Sequence, residues 1–408
     1  MADMILIADD MTGMLDTAVQ FAKAGIPTTA YPGKTDLEEL KHCQASVIAV
    51  TTESRNASKE EAYQRVRDIT EKAKAAGIQT VFKKTDSVLR GHLGADFEAI
   101  LDAMQTKKLL FFPAYPAMER TTRNGIQYVN RVPVAESGFN TDQTEAISSS
   151  FIPEILAEET SILVTVIRSG ETWNACGEKK QIYVFDAENE TTLRKRAEEA
   201  RTRGCAQIVA GCAGLAKELS EIMGDQNLQK ESHNPNKTIF AVCGSMNRVT
   251  RSQVAYAAKH GYEYYPIGID DLIDTNTKTL FYKEEIANAI RDACKQKKPV
   301  VIAPVCREKH SSERMNGIGV KKKIVDRLNE ILLACMEKLE GYTLFHTGGD
   351  TLSSFVSISG CSRIELCGEL YPGIAMNRFR FGRYEKYVIS KSGGFGDEDV
   401  LVKCLGNR

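Results

Sequence analysis

The fold class follows from the stretch MILIADDMTGMLDTAVQFAKAG, residues 4–25. Its first five residues, 4–8, form an apolar run typical of a buried strand, and residues 14–24 carry apolar side chains at helical spacing. Gly25 stands where the C-terminal cap of a helix is expected. A strand followed at once by an amphipathic helix is the repeating unit of parallel α/β folds.

The same pattern recurs along the first half of the chain. It predicts further strands and helices in a doubly wound arrangement: strands at 46–51, 79–83, 108–112 and 207–210, and helices at 58–75, 93–105, 190–203 and 213–223. Prolines and glycines interrupt the pattern over residues 113–142. We interpret this segment as a structured loop or hairpin, because long excursions of this kind are often functional.

The length of the chain indicates two domains, since a single core stops growing beyond roughly 250 to 300 residues and the chain has 408. The polar, unpatterned segment 224–237 is interpreted as a linker. A second series of elements follows it, with strands at 238–243, 299–304 and 342–346 and helices at 248–260, 282–297, 321–338 and 351–359. The sequence therefore predicts two α/β domains, residues 1–223 and 238–408, each with a mainly parallel sheet flanked by helices.

Composition and charge argue against several classes of partner. The 53 basic and 54 acidic side chains give a net charge of −1, so no global field attracts nucleic acid or a membrane surface. No apolar run approaches the roughly 20 residues of a transmembrane helix, and the start lacks the pattern of a secretory signal. The 11 cysteines include no Cys-x-x-Cys pair, and the histidines have no partner at metal-ligand spacing. We expect a cytoplasmic protein that binds neither nucleic acid nor membrane and has no protein-held metal.

The first polar cluster directly follows the first predicted strand. Asp9 and Asp10 stand between this strand and a helix, and ligands of open α/β sheets bind beyond the carboxyl ends of the strands. One of the two carboxylates is accounted for if it caps the helix. Two adjacent carboxylates exceed what a cap needs, so the pair is a candidate for binding substrate.

The second cluster, KKTDSVLRG at residues 83–91, follows another predicted strand. It combines cations, a carboxylate and hydroxyls, which suits a polyhydroxylated anion. Arg90 is well shaped for this role because a guanidinium pairs with a carboxylate through two hydrogen bonds. Arg55 adds a cation beyond a third strand. The alternative interpretation is a solvated turn and a surface arginine with no role.

The third cluster consists of glycine turns in the second predicted domain, at residues 244–247, 347–351 and 392–397. Glycine lets the backbone approach a phosphate closely, and the N-terminus of a following helix offers N–H donors. Each turn alone is more often structural. The sequence contains neither the P-loop motif nor a dinucleotide fingerprint after a strand.

These motifs together resemble the four-carbon acid sugar kinase family over nearly the whole chain. The segments that carry the resemblance are ADDMTGMLDTAVQFAKAG, KKTDSVLRGHLGADFEAILDA, PAYPAMERTTRNGIQYVNRVPVAES, VAGCAGLAKEL, GSMNRVTRSQ, TGGDTLSSFV, GELYPGIAMNRF and SKSGGFGDEDVL. The chain departs from the family pattern at residues 118–120, where a glycine usually precedes the arginine, and at residues 244–247, where Gly-Ser-Cys-Ser is usual. The first departure bears on the choice of acid, and the second on how the adenosine side is held.

The resemblance implies an ATP-dependent kinase with an active site in the cleft between its domains. The N-terminal domain would bind an acid sugar such as an erythronate, a threonate or an oxo-tetronate, and the C-terminal domain would bind ATP with Mg²⁺. Carried over by position, the substrate residues are Asp9, Arg55, Lys84 and Arg90, with Asp10 or Asp86 accepting the hydroxyl proton, and the nucleotide residues are Ser245, Gly348, Gly349, Asp350, Thr351 and Gly394. Whether the protein forms a homodimer is left open by the sequence.

Two alternatives compete with the kinase. The Asp-Asp-Met-Thr-Gly stretch at residues 9–13 faintly resembles the nucleophile loop of haloacid-dehalogenase-type phosphatases, in which GDED at 396–399 would hold magnesium. The spacing differs from that loop and its paired residue is missing. The second alternative is a non-catalytic sensor that binds an acid sugar on the same fold.

Overall fold

In a computed structural model, the chain forms two compact units, Met1–Lys230 and Glu231–Arg408. The structure describes residues 2–33, 35–137, 147–174, 178–224, 235–236, 238–245, 247–273, 277–306, 319–371, 374–391, 394 and 396–406. The division falls inside the segment 224–237 that the sequence predicts as a linker, of which residues 225–234 and 237 lie outside the described part. The domain boundaries stay a prediction.

The first unit is built on a parallel sheet flanked by helices. Its strands are β1 (Met4–Ala8), β2 (Thr28–Tyr31), β3 (Val47–Thr51), β4 (Thr80–Lys84), β5 (Lys108–Phe112), β6 (Arg120–Arg123), β7 (Ile126–Val129), β8 (Val132–Pro133), β9 (Leu163–Ile167), β10 (Gln181–Phe185) and β11 (Ile208–Gly211). Its helices are α1 (Met11–Lys23), α2 (Leu37–His42), α3 (Lys59–Ala75), α4 (Leu93–Met104), α5 (Ile152–Ala157), α6 (Glu190–Thr202) and α7 (Ala213–Met223). The predicted α/β class is confirmed.

The strand order of this sheet creates a switch point beside β1. The order is β2-β3-β1-β4-β11-β5-β10-β9, and each of these neighbouring pairs is parallel. The chain therefore passes from β1 to β2, comes back to β3 beside β1, and then crosses to β4 on the other side of β1. Crevices form beyond the carboxyl ends of strands at such a point.

Strands β6, β7 and β8 form a small antiparallel sheet within the predicted loop or hairpin at residues 113–142. The hairpin interpretation is confirmed for residues 120–133, while residues 138–142 lie outside the described part. Gln127, which is fully buried, anchors the sheet by donating to the carbonyl oxygens of Ser87 at 3.0 Å and Pro113 at 3.4 Å. The hairpin is thereby tied to the loops that follow β4 and β5.

The second unit also has a mainly parallel sheet. Its strands are β12 (Thr238–Cys243), β13 (Glu263–Gly268), β14 (Val300–Val305), β15 (Tyr342–Thr347), β16 (Cys361–Tyr371), β17 (Ile374–Phe381) and β18 (Tyr384–Lys391). Its helices are α8 (Arg248–Lys259), α9 (Ile269–Ile273), α10 (Thr277–Lys295), α11 (Val320–Ala334), α12 (Gly349–Ser359) and α13 (Val400–Gly406). The order is β13-β14-β12-β15-β18-β17-β16, parallel as far as β18 and antiparallel from β18 to β16.

Two helices of this unit differ most from their predicted bounds. The helix predicted at 282–297 spans Thr277–Lys295, and the helix predicted at 321–338 ends at Ala334, before a 3₁₀ turn over Met336–Lys338. Helix ends fray into 3₁₀ geometry, and spacing of apolar residues does not mark that change. In the described residues no helix is long and apolar enough to cross a membrane.

Candidate functional site

The polar clusters of the first unit lie at the switch point beside β1. Asp9 and Asp10 follow β1, Arg55 lies beyond β3, and Asp86 follows β4. Since β3, β1 and β4 are adjacent and parallel, their carboxyl ends share one edge of the sheet. The structure therefore brings the predicted substrate residues together.

Arg55 joins the two neighbouring aspartates. Its Nε and Nη2 donate to the two carboxylate oxygens of Asp9 at 2.8 and 2.9 Å, and its Nη1 donates to Asp10 at 2.8 Å. Burial by itself would raise the pKa of Asp9, but the cations Lys83, Lys84 and Arg55 outweigh it and lower the pKa to about 2. Asp9 is thus a buried carboxylate that is charged at neutral pH and fixes the orientation of Arg55.

Asp10 has two roles at once. Its Oδ1 accepts from the backbone N–H of Gly13 at 2.9 Å and caps α1, so the capping alternative is correct for this residue. Its carboxylate also faces Arg55 and the Nζ of Lys84, which lies 3.6 Å away. A Cβ on Gly13 would lie 2.1 Å from that Nζ, so only glycine leaves room for the lysine.

Asp86 and Arg90 form the second half of the site. Arg90 donates to Asp86 through Nε at 2.8 Å and Nη2 at 3.2 Å. Burial acts to raise the pKa of Asp86, but Arg90, Lys84 and Arg55 outweigh it and lower the pKa. The turn continues through Gly91, whose φ is +91°, and a Cβ there would lie 2.9 Å from Oδ2 of Asp9. This close approach places the turn that contains Asp86 and Arg90 directly against Asp9.

We expect Asp9 to make the first unit labile to acid. Its pKa of about 2 in the folded state is below its unfolded value of about 3.9. The stability it contributes is therefore fully present above about pH 4 and is lost as the pH falls toward 2, by about 2 kcal/mol. Urea unfolding followed by the fluorescence of Trp173, the single tryptophan of the chain and one that is buried in this unit, measures the loss.

The matched comparison uses two substitutions. Asp9→Asn should flatten the dependence of the unfolding free energy on pH between about 5 and 2.5, since the titrating group is removed. Asp3→Asn removes an exposed carboxylate just before β1 and should leave the wild-type slope, because that group is solvated in both states. Equal slopes for wild type and Asp9→Asn would contradict the charged state of Asp9.

The described residues of the three glycine turns of the second unit also converge, while residues 246, 392, 393 and 395 of these turns lie outside the described part. They follow β12, β15 and β18, which are adjacent and parallel. Gly348 has a φ of +98° and donates its N–H to the carbonyl oxygen of Lys391 at 2.9 Å. A Cβ on Gly348 would lie 3.4 Å from Cβ of Ser245, and Gly394 lies near the Asn247 amide.

Two helices begin at this edge. Helix α12 starts at Gly349 with Asp350 in its first turn, and no side chain caps it. Helix α8 is capped by Asn247, one of the residues that depart from the family pattern, whose side chain accepts from the N–H of Val249 at 2.8 Å. An uncapped helix N-terminus beside glycine turns suits a phosphate group.

A buried polar network holds the first turn of α12. Asn329 donates to the carbonyl oxygen of Thr351 at 2.8 Å and to Ser354 at 3.0 Å, and its Oδ1 lies 3.1 Å from Nε2 of His346. Burial lowers the pKa of His346 to about 3, so the imidazole is neutral. A Cβ on Gly244 would lie 2.3 Å from Oγ1 of Thr351, so this turn also requires glycine.

In the segment 396–399, which would be the magnesium site of the phosphatase alternative, two of the three carboxylates pair with a lysine. Lys403 lies 3.1 Å from Asp397 and 2.9 Å from Asp399. Within the described ranges, no group of three or more His, Cys, Asp or Glu side chains is arranged to hold a metal ion. The described donor set of the glycine turns fits phosphate oxygens better than it fits a bare cation.

The anchoring residues behind the site escaped the sequence analysis. Gln127 supports the loop that contains Ser87, and Glu159 accepts from the N–H groups of Gly94 and Ala95 at the start of α4. Their partners are 40 and more than 60 residues away in the sequence. No local pattern marks such contacts.

Comparisons with known proteins match both units. A family model described as a sugar-binding N-terminal domain matches residues 4–219, and one described as a nucleotide-binding C-terminal domain matches residues 240–401. A D-threonate kinase of Salmonella typhimurium is 29% identical, over 98% of this chain and 97% of that protein. A D-erythronate kinase of Heliobacterium modesticaldum is 24% identical, over 99% and 97%. The crystal structure of a Haemophilus influenzae protein superimposes with a TM-score of 0.82 at 19% identity, covering 98% of this chain and 99% of that one, which shows the fold alone.

Proposed function

Because the chain belongs to the four-carbon acid sugar kinase family, it is a carbohydrate acid kinase, and we propose that it transfers the γ-phosphoryl group of ATP to the terminal hydroxyl of a four-carbon acid sugar. The acid would be a threonate, an erythronate or an oxo-tetronate. One observation carries this function: in each unit the turns singled out from the sequence meet at the carboxyl edge of adjacent parallel strands. The predicted placement of the active site in a cleft between the domains stays a prediction.

In the first unit, the cations would hold the carboxylate of the acid. Arg55 uses three of its N–H groups on Asp9 and Asp10, and a guanidinium has five. Two N–H groups of Arg55 therefore stay available for a ligand. Lys84 and Arg90 would complete the clamp, with Asp9 and Asp86 holding Arg55 and Arg90 in place.

We assign the acceptor-hydroxyl role to Asp10. Its side chain is 27% exposed, compared with 11% for Asp86 and 5% for Asp9, so it is the most accessible of the three carboxylates. Each carboxylate oxygen has two lone pairs, and the contacts to Gly13 and Arg55 leave acceptor capacity. As the acid's hydroxyl oxygen attacks the γ-phosphorus, its proton would pass to Asp10.

In the second unit, the glycine turns would cradle the phosphates of ATP. Gly349 and Asp350 would present backbone N–H groups at the start of α12, with Gly348 shaping the turn before them and with Ser245, Thr351 and Gly394 completing the wall. The fit rests on the uncapped start of α12 and on the close approach of the turns at Gly244, where a Cβ would lie 2.3 Å from Oγ1 of Thr351. Magnesium bound together with ATP would offset the negative charge of its phosphates.

A coupled assay of ADP release tests the function. The wild-type protein should form ADP from ATP only when a substrate acid is present, with D-threonate, D-erythronate, 3-oxo-tetronate and D-glycerate compared at equal concentration. ADP formation that needs one of the four-carbon acids is the expected result. Binding of an acid without ADP formation would indicate the sensor instead, and phosphate release from sugar phosphates without ATP would indicate the phosphatase.

A further inference from the structure

The two consecutive lysines at the end of β4 project to opposite faces of the sheet, as successive strand residues do. Lys84 lies on the side of α1, next to Asp10. Lys83 lies on the side of α4, where its Nζ is 2.9 Å from Oδ2 of Asp96. The side chains of Lys83 and Asp96 are 1% and 3% exposed, so their charges are taken out of water together.

Asp9 lies on the same face of the sheet as Lys83. Ile5 and Ile7 of β1 belong to the core that contains Phe97 of α4, and Asp9 follows them in the same alternation. Ile7 is also the register partner of Lys83 across β1 and β4. Lys83 and Asp9 therefore lie on one face of the sheet on adjacent strands, and Lys84 lies on the other face.

The Lys83–Asp96 pair is difficult to explain by stability alone. Burying two charges costs several kcal/mol per ion, and apolar residues of similar volume often serve as well or better. Burial raises the pKa of Asp96 to about 6, despite the opposing attraction of Lys83, which shows that this carboxylate is held at a cost. One Asp96 oxygen has no hydrogen-bond partner.

We propose that Lys83 and Asp96 are positioning residues of the acid-sugar site: Lys83 holds Asp9 behind Arg55, and Asp96 keeps the Lys83 ammonium in place. This inference rests on the proposed function. Among the cations that lower the pKa of Asp9 against its burial, Lys83 has the largest effect, ahead of Lys84 and Arg55. Asp9 in turn accepts two hydrogen bonds from one edge of the Arg55 guanidinium, so Lys83 acts on the substrate clamp without touching the substrate.

The decisive variant neutralises the whole pair. Lys83→Met alone leaves Asp96 buried and unpaired, and is expected to lower the urea midpoint of the first unit. Lys83→Met with Asp96→Leu removes both charges, so its urea midpoint, followed through Trp173, should return close to that of wild type. We nevertheless expect its KM for the acid to rise at least 10-fold, with the KM for ATP unchanged.

A matched control removes another buried cation of the same unit. Arg196, 4% exposed, lies 2.8 Å from Glu199 on α6, away from the switch point. Arg196→Met with Glu199→Leu is expected to leave both KM values within about 2-fold of wild type. If the Lys83/Asp96 double variant recovers its KM for the acid together with its stability, the pair is only structural and the inference is wrong.

A second readout does not depend on turnover. The groups that act on Asp9 are the cations Lys83, Lys84 and Arg55, with Asp96 a weaker influence of opposite sign. In the double variant, titration of the Asp9 carboxyl carbon by ¹³C NMR should show its pKa raised by about 1 unit. An unchanged pKa would overturn the inference even if wild type proves not to be a kinase, whereas lack of ADP formation by wild type would overturn only the function.

Discussion

Replacement of Asp10 by Asn is expected to lower turnover by about 100-fold, since an amide cannot accept the hydroxyl proton that a general base removes. The substitution is expected to leave the fold intact. Asn is as good a helix N-cap as Asp, so its side-chain oxygen can still accept from the N–H of Gly13. Measurement of kcat at saturating acid and ATP, with the urea midpoint from Trp173 fluorescence, separates chemistry from stability.

The matched control is Asp36→Asn in the same unit. Asp36 caps α2 in a capping box, accepting from the N–H of Glu39 at 2.9 Å, and is outside the site. This variant repeats the chemical change at a helix cap, and its kcat should equal that of wild type. If Asp10→Asn also keeps wild-type turnover, Asp10 is not the base, and Asp86 becomes the carboxylate to replace next.

The placement of the site could be predicted from the sequence because it depends on a general property of parallel sheets. Asp9, Arg55 and Asp86 each follow a short apolar run, and parallel strands end at one edge. The contacts within the site could not be predicted from the sequence. The sequence left open whether Asp10 caps a helix or binds a ligand. Only the geometry shows that one of its carboxylate oxygens caps α1 while the other accepts from Arg55.

The sequence analysis named Lys84 as a substrate residue and assigned no separate role to Lys83. Their alternation across β4 was available from the pattern, but the partner on the far face, Asp96, is an acidic residue within an otherwise ordinary helix. Its burial of 97% follows from the packing of α4 against the sheet and not from any local signal. Long-range packing of this kind decides which charges are buried.

The antiparallel strands β16, β17 and β18 were also missed. Their outward side chains include a ladder of opposite charges, with Arg378 close to both Glu365 and Glu385. Strands covered on one face alternate polar and apolar residues, so they lack the continuous apolar runs that marked the parallel strands. β18 nevertheless places the third glycine turn beside the turn that follows β15, because the two strands are parallel neighbours.

Replacement of Gly348 by Ala is expected to raise the KM for ATP by about 30-fold. Gly348 has φ +98° and ψ 137°, a backbone conformation that costs an L-residue about 1 to 3 kcal/mol. Relaxation of that strain would turn the backbone at the start of α12 and displace the N–H groups proposed to hold the phosphates. A loss of about 2 kcal/mol of binding corresponds to that change in KM.

The other end of the same helix supplies the control. Gly360 closes α12 with φ +63°, and a Cβ there would meet nothing within 4 Å. Gly360→Ala should cost about 1 kcal/mol of stability, seen as a lower thermal midpoint, with the KM for ATP within about 2-fold of wild type. Both variants should keep the wild-type KM for the acid. If the two raise the KM for ATP equally, the effect comes from helix stability and the turn at Gly348 does not hold the nucleotide.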